Sequence, residues 1–368
     1  MRVRILLLSV GSLVGHNVLE ALQGRRDRVE LIGTNLLADA PDNFRCDRCY
    51  LVPPTKTPDF ESRMHEILAA ERPDLILPGR DDDVVFLARL QAARPELAAQ
   101  IPCGSPAAAA VITSKLASSR FATEHGLAFA RSVLLAQAAD LAAVEDLGRT
   151  AGWPLIAKRP AGFGSQGVQI VSDAEAAARL LGNGTWLLQE YLDPPAELAT
   201  LLAQWQLGPP LFFQIPETSQ YACQTVIAPD GAIAPLCLTL NTNILGRTEY
   251  VERVDLPDLE VVGQAWARAM ADAGWRGSLN LQCKRDRFGA WKLFELGGRM
   301  TGSTSARLLL GYDELGRLLG AFRPELGFAD LSRQAPQGAV RRLLADAWLP
   351  WPGVDSLQQR GYWEKSQC

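Results

Sequence analysis

Residues 153–171 read WPLIAKRPAGFGSQGVQIV, from Trp153 to Val171. Trp153–Arg159 has the apolar content of a strand, Ala161–Gly167 is glycine-rich, and Val168–Val171 is a second short apolar run. Gly162, Gly164 and Gly167 satisfy G-x-G-x-x-G, a spacing that marks a dinucleotide site only when it opens a helix. Here a strand follows, so the loop joins two antiparallel strands. Such a loop can fold over phosphates with its backbone N–H groups, because glycine permits close approach and positive φ. A kinase-type glycine loop would place its lysine after the loop and require His-Arg-Asp and Asp-Phe-Gly segments. Lys158 precedes the loop, neither tripeptide occurs, and no G-x-x-x-x-G-K-[ST] loop is present.

Lysine is scarce in this chain, occurring only at positions 56, 115, 158, 284, 292 and 365, so a lysine on an apolar strand beside a glycine loop is informative. Its ordinary alternative is a side chain that snorkels from a half-buried strand to water. A compact ammonium suits a phosphate.

Upstream, the first hundred residues alternate short apolar runs (Val3–Val10, Val29–Gly33, Tyr50–Val52, Asp74–Leu77) with helix-patterned stretches. That alternation predicts a doubly wound parallel α/β domain over 1–112. Thr113-Ser114-Lys115-Leu116 then supplies hydroxyl caps for a helix reaching about His125. The α+β pattern that follows divides into 113–192, with the glycine loop and a strand at Trp186–Leu192, and 193–330. The second part begins with a proline-punctuated insertion (Pro194, Pro195, Pro209, Pro210, Pro216) around a helix at Glu197–Trp205, before a strand at Tyr221–Ala228. Residues 331–368 form a tail whose pattern assigns no element, with Trp348 and Trp351 either anchoring an interface or packing the tail down.

The whole chain has 368 residues, 48% hydrophobic and 21% charged, as expected of a folded multi-domain protein. With 37 Lys+Arg against 41 Asp+Glu, no positive excess is available for a nucleic-acid backbone. No run of 18 apolar residues could span a bilayer and no cleavage site follows the N-terminal apolar run, which predicts a cytoplasmic protein. Seven cysteines with one CxxC pair, Cys46 and Cys49, and only three histidines predict plain reduced thiols rather than a zinc site.

Gly277–Lys284 and Ala290–Leu296 read as a hairpin. A four-residue turn over Arg287–Ala290 sets Gln282 opposite Glu295 on one face, where a carboxylate and an amide oxygen could share a magnesium ion; a solvated cross-strand polar pair is the plain alternative. Gly297-Gly298-Arg299 and the hydroxyl-rich Thr301–Ser305 continue from it, and a fixed guanidinium there could hold a phosphoryl group or a carboxylate.

Together these segments resemble the ATP-grasp superfamily, particularly the branch similar to carbamoyl-phosphate synthetase and the carboxylate–amine ligases, over roughly residues 1–325. WPLIAKRPAGFGSQGVQIV looks like the family's lysine strand and phosphate lid, WLLQEYL (Trp186–Leu192) like its adenine hinge, and NLQCK (Asn280–Lys284) with FELGGRMTGSTSAR (Phe294–Arg307) like its metal-bearing strands. ILPGRDDD (Ile76–Asp83) resembles the segment entering the shared substrate cleft. The resemblance implies a two-part ATP-grasp domain behind the α/β domain. It implies that Lys115 and Lys158 contact nucleotide phosphates, that Gly162, Gly164, Ser165 and Gly167 belong to the lid, and that Glu190, Tyr191 and Leu192 bind adenine largely through backbone. Gln282 and Glu295 would hold Mg2+ or Mn2+, and Arg299 would sit near an acyl phosphate.

Two departures stand out. Gly297-Gly298 replaces a common Asn-Pro, leaving coordination thinner or completed by Asn280. Gln220-Tyr221 also lacks the acid that usually binds ribose, for which Glu217 is the nearest substitute.

The implied activity is ATP-dependent activation of a carboxylate as an acyl phosphate, with release of ADP, and its coupling to an amine. Arg80, Asp81, Arg247 and Arg307 are candidate contacts for an amino-acid-like substrate, and a homodimer is implied. Two rival readings are a nicotinamide oxidoreductase using Val10–Gly15, with Asn35 where a ribose-binding acid would stand, and an ATP-binding protein without catalysis.

Overall fold

The computed structural model describes residues 2–160, 167–205, 219–244, 247–343 and 345–365. Gly162, Gly164, Ser165, Pro209, Pro210, Pro216 and Glu217 lie outside them. β1 (Val3–Leu7), β2 (Val29–Asn35), β3 (Arg48–Leu51) and β4 (Leu75–Leu77) form a parallel sheet in the order β3-β2-β1-β4. Successive residues of these strands face opposite layers. Leu6, Ile32 and Ile76 join Met64 and Phe86 in one core, whereas Ile5, Leu7 and Leu31 join Val14 and Val18 in another. The sheet is therefore covered on both faces, as its continuous apolar runs require. The strand order reverses between β1 and β4, and the loops leaving their C-terminal ends meet there, Ser12 Oγ donating to the Gly79 carbonyl at 3.0 Å.

A second, antiparallel sheet contains β5 (Ser132–Leu135), β6 (Leu155–Lys158), β7 (Gln169–Val171) and β8 (Trp186–Glu190), ordered β5-β8-β6-β7. β6 and β7 pair antiparallel across the glycine loop. The third sheet holds β9 (Gln220–Ile227), β10 (Cys237–Ile244), β11 (Arg247–Arg253), β12 (Gly277–Arg285), β13 (Trp291–Gly297) and β14 (Ala339–Arg341), ordered β13-β12-β9-β10-β11-β14. The helix Pro257–Asp272 packs beneath this sheet, burying Trp266 and Met270.

The described residues of the tail include two strands and a helix at Trp351–Arg360. β14 pairs with β11, and β15 (Tyr362–Glu364) lies antiparallel to β3 and extends the first sheet. These strands are three residues long, too short for period or length to mark them. Trp363 is the buried anchor, its ring edge-on to Phe44 at 5.2 Å, while Trp348 and Trp351 remain 83% and 65% exposed. Cys46, Cys49, Cys103, Cys223, Cys237 and Cys283 are buried unpaired thiols. Among the described residues no helix is long and apolar enough to cross a membrane.

The segment leaving the first domain docks on the third sheet through bare backbone. A Cβ on Gly277, whose φ is +103°, would lie 1.9 Å from the Pro102 carbonyl oxygen. Gly277→Ala should therefore lower the thermal midpoint by clearly more than Gly182→Ala, where φ is +81° and nothing lies within 4 Å, and where only the backbone cost of about 1 kcal/mol applies. Differential scanning fluorimetry of the two variants measures the difference.

Candidate active site

A cleft of about 540 Å³ opens between the second and third sheets and is closed at one end by the loops of the first domain. Lys158 is the last residue of β6 and is 8% exposed. Its ammonium donates to Gln189 Oε1 at 2.7 Å, and Gln189 Nε2 donates in turn to Ser132 Oγ at 3.1 Å. The Phe294 ring lies beneath it, 5.2 Å from the ammonium. Burial pulls the Lys158 pKa down to about 8; Glu295 resists the shift, and Lys115 and Lys284 add repulsion. Holding this ammonium out of water costs about 3 kcal/mol of folding stability. Because the folded pKa lies below the unfolded one, the cost is present below pH 8 and is relieved as pH rises toward 10.5. A bound polyanion relieves it at neutral pH.

Lys115 begins the helix Lys115–Glu124, which Ser114 caps by accepting from Ala117 N, and it lines the same cleft. So does Lys284, which shares a face of β12 with Gln282. Lys284 was not among the candidate contacts read from the sequence, although its two-residue spacing from Gln282 and the rarity of lysine both point to it. Gln189 was missed as well, yet strand parity places it on the Lys158 face, since Ile156 pairs with Gln189 and Lys158 with Leu187.

Gln282 pairs with Glu295, as expected, but by a different route. The hairpin loop is Asp286–Ala290, closed by Arg285 opposite Trp291, rather than a turn over Arg287–Ala290. That loop alone would set Gln282 opposite Phe294. Phe294 is instead an extra residue in β13, and this bulge restores Glu295 to Gln282. The bulge also brings both Phe294 and Glu295 to the cleft wall. Among the described residues no hydrogen bond or ion pair joins the Glu295 carboxylate to a partner, so its acceptor capacity faces the cleft. One carboxylate with neighbouring amide oxygens suits a magnesium ion that takes its remaining ligands from phosphates and water.

Glu190, Tyr191 and Leu192 line the cleft at the end of β8. The Glu190 carboxylate is committed elsewhere: Lys292 donates to it at 2.8 and 3.0 Å, and the Arg131 backbone N–H at 3.2 Å. Of Glu190, therefore, only the backbone is left to meet a ligand. Arg299 and Asp81, candidates from different domains, meet each other, with Nε 3.0 Å from Oδ1. Arg80 is beside them, its N–H donating at 2.9 Å to Asp83 Oδ2. Burial raises the Asp83 pKa to about 6 against these hydrogen bonds.

Three expected contacts differ. Arg247 is the first residue of β11, not part of a loop; it is half exposed, 3.9 Å from Glu249, and outside the cleft lining. Arg307 borders the cleft, but its guanidinium is buried in an ion pair with Glu314 at 3.1 Å and has no accessible surface for a substrate. Gly167, with φ +71°, lies on the outer side of β7 beside Arg159 and Gln169, whereas Val168 reaches the cleft. Gly298 has a packing reason: a Cβ there would meet the Trp275 ring at 2.7 Å, so proline is excluded. Gly297 is not so confined, since its nearest neighbour would be Asn280 Cβ at 3.6 Å.

No family model matches the chain. One curated relative, N5-carboxyaminoimidazole ribonucleotide synthase from Synechococcus elongatus, is 29% identical over 177 residues, which cover 45% of this chain and 44% of that protein. The match thus spans less than half of that relative's length. Many solved structures are similar, among them the following three. N5-carboxyaminoimidazole synthetase from Staphylococcus aureus, complexed with ADP, has a TM-score of 0.65 at 11% identity, over 93% of this chain and 81% of its own. A biotin carboxylase–ATP-analogue complex from Campylobacter jejuni has a TM-score of 0.63 at 13% identity, over 91% and 74%. L-amino acid ligase from Bacillus licheniformis has a TM-score of 0.61 at 13% identity, over 89% and 78%. At these identities the likeness is one of fold, and the chain has the ATP-grasp fold.

Proposed function

We propose that this protein is an ADP-forming ligase that activates a carboxylate with ATP and joins it to an amine, forming a C–N bond. The observation carrying this reading is the convergence in one cleft of three lysines, the Gln282–Glu295 pair and Arg299. A carboxylate is a poor electrophile. Its attack on the γ-phosphorus breaks the bond to ADP and gives an acyl phosphate; the amine then adds to the acyl carbon, expels phosphate and loses a proton. The first step is phosphoryl transfer, in which the protein's task is positioning and charge neutralisation.

Lys158, Lys115 and Lys284 are suited to neutralising the phosphates, Lys158 with its direction fixed by Gln189. Gln282 and Glu295 would hold Mg2+ or Mn2+, which supplies Lewis-acid polarisation of the phosphoryl oxygens. Arg299 is suited to the transferring group once a substrate anion replaces Asp81 beside it. The lid at Gly162–Gly167 would exclude water from the acyl phosphate. Arg80 suits a carboxylate-bearing, amino-acid-like substrate, a reading that also leans on the neighbour named an L-amino acid ligase.

A cytoplasmic homodimer that acts on small molecules, without nucleic acid or membrane, belongs to the same reading; a neighbouring biotin carboxylase domain is described as a dimer, and the net charge here is −4. The nicotinamide alternative finds less support. Asn35, where the ribose acid would stand, donates its amide to Asn43 at 2.8 Å, and a Cβ on Gly11 would meet that amide at 2.4 Å.

Mg-ATP at 100 times its dissociation constant should stabilise the protein by about 2.7 kcal/mol in a thermal-shift assay, while NAD and NADP leave it unmoved; the reverse pattern would overturn the reading. With an acid–amine pair found by screening for ADP release, Lys158→Ala and Glu295→Gln should abolish ADP formation while melting as folded proteins. Full turnover in either variant rules out the assignment, and nucleotide binding with no ADP release from any pair would favour a non-catalytic binder. The ATP dissociation constant should rise about tenfold between pH 7 and 9.5, as Lys158 loses its proton above about pH 8. Lys158→Arg, which keeps its charge, should show a flat profile by isothermal titration calorimetry.

A further inference from the structure

We propose that Asn280 contributes its side-chain oxygen as a third protein ligand to the divalent cation at the Gln282–Glu295 pair, and that Glu314 fixes the orientation of that amide from two side chains away. This rests on the reading of Gln282 and Glu295 as the cation site.

Gln224, Asn280 and Gly297 occupy one rung across β9, β12 and β13, so the side chains of Gln224 and Asn280 share a face. Gln282 and Glu295 form the next rung of the same face, two residues along, and Asn280, Gln282 and Glu295 all line the cleft. Opposite-strand neighbours on one face are close enough to share a ligand.

An isolated asparagine beside a cleft could present either end of its amide, but this one is constrained. Glu314 is fully buried and ion-paired with Arg307, and an ionised carboxylate only accepts hydrogen bonds. Its Oε1 accepts from Ser278 Oγ and from Gln224 Nε2, each at 2.7 Å. With the nitrogen of Gln224 turned to Glu314, its Oε1 faces the other way and accepts from Asn280 Nδ2 at 2.8 Å. The nitrogen of Asn280 is thereby occupied, and the end left for the cleft is the oxygen. A buried carboxylate thus orders two amides in series and delivers a metal-type donor rather than an N–H group, which would repel a cation.

Gly297, directly across from Asn280, has room for a side chain, since a Cβ there would be in ordinary contact with Asn280 Cβ at 3.6 Å.

The test is Mn2+ binding to the full chain with saturating ADP, read from the electron paramagnetic resonance signal of free Mn2+. Asn280→Leu should weaken Mn2+ about tenfold, and adding Gly297→Asn to it should restore most of the affinity. Gln224→Met, at a side chain that touches Asn280 but does not line the cleft, should weaken Mn2+ several-fold while leaving metal-free ADP binding unchanged; should Asn280→Leu fail to fold, this variant carries the test. Unchanged Mn2+ affinity in Asn280→Leu overturns the proposal, as does a loss that Gly297→Asn does not relieve, because Asn280 would then act on the strand and not as a ligand. Glu295→Gln separates the two readings. If it weakens Mn2+ while Asn280→Leu and Gln224→Met do not, the proposal alone fails; if none of them does, the cation site fails with it.

Discussion

Lys292 reaches from β13 to the carboxylate of Glu190 at the end of β8, and that ion pair ties the second sheet to the third beside the backbone hydrogen bonds that Leu293 makes with Ala128 and Ala130. The carboxylate is almost fully buried, so breaking the pair would strand a charge in the protein interior, a far larger penalty than the loss of a surface salt bridge. Asp286 holds the same ammonium from the hairpin loop at 3.0 Å. Glu190, one end of this clamp, lines the cleft.

Within that space the polar side chains are set by neighbours that cannot adapt. Gln189, held by Ser132, presents oxygen to Lys158, and Glu314 does the equivalent for Gln224 and Asn280. Each chain ends on a group whose donor or acceptor character is unambiguous, which removes the freedom of an amide to turn over. Such order comes at the expense of stability, most clearly at Lys158, whose buried ammonium has no carboxylate in direct contact among the described residues and has its pKa pulled down to about 8. Strain of this kind is concentrated where an anion would relieve it.

The first domain reaches the same space through its topology. Because β1 and β4 are neighbours while their connections run to opposite sides, the segments Ser12–Val14 and Gly79–Asp81 emerge side by side at the strand ends. Asp81 then meets Arg299 from the third sheet, so that one ion pair joins two domains at the mouth of the cleft.

The sequence by itself determined the antiparallel strands on either side of the glycine loop and singled out Lys158, Gln282, Glu295 and Arg299, which line one cleft, because these follow from local rules: the period of apolar residues, the strand that follows Gly167, and the residue types carried by each motif; Lys115 was marked only by the resemblance to the ATP-grasp superfamily. It did not determine the role of Glu190, since nothing local reveals that Lys292, a hundred residues on, would claim its carboxylate. Nor did it reveal the burial of Arg307, the exposure of Arg247 on β11, or the three-residue strands of the tail, which depend on a partner strand being present. The Gln282–Glu295 pair marks the boundary between the two. Parity along the chain gave the right partners through the wrong turn, and only the assembled sheet, whose hydrogen-bond ladder expels Phe294 as an extra residue, decided the register that sets them face to face.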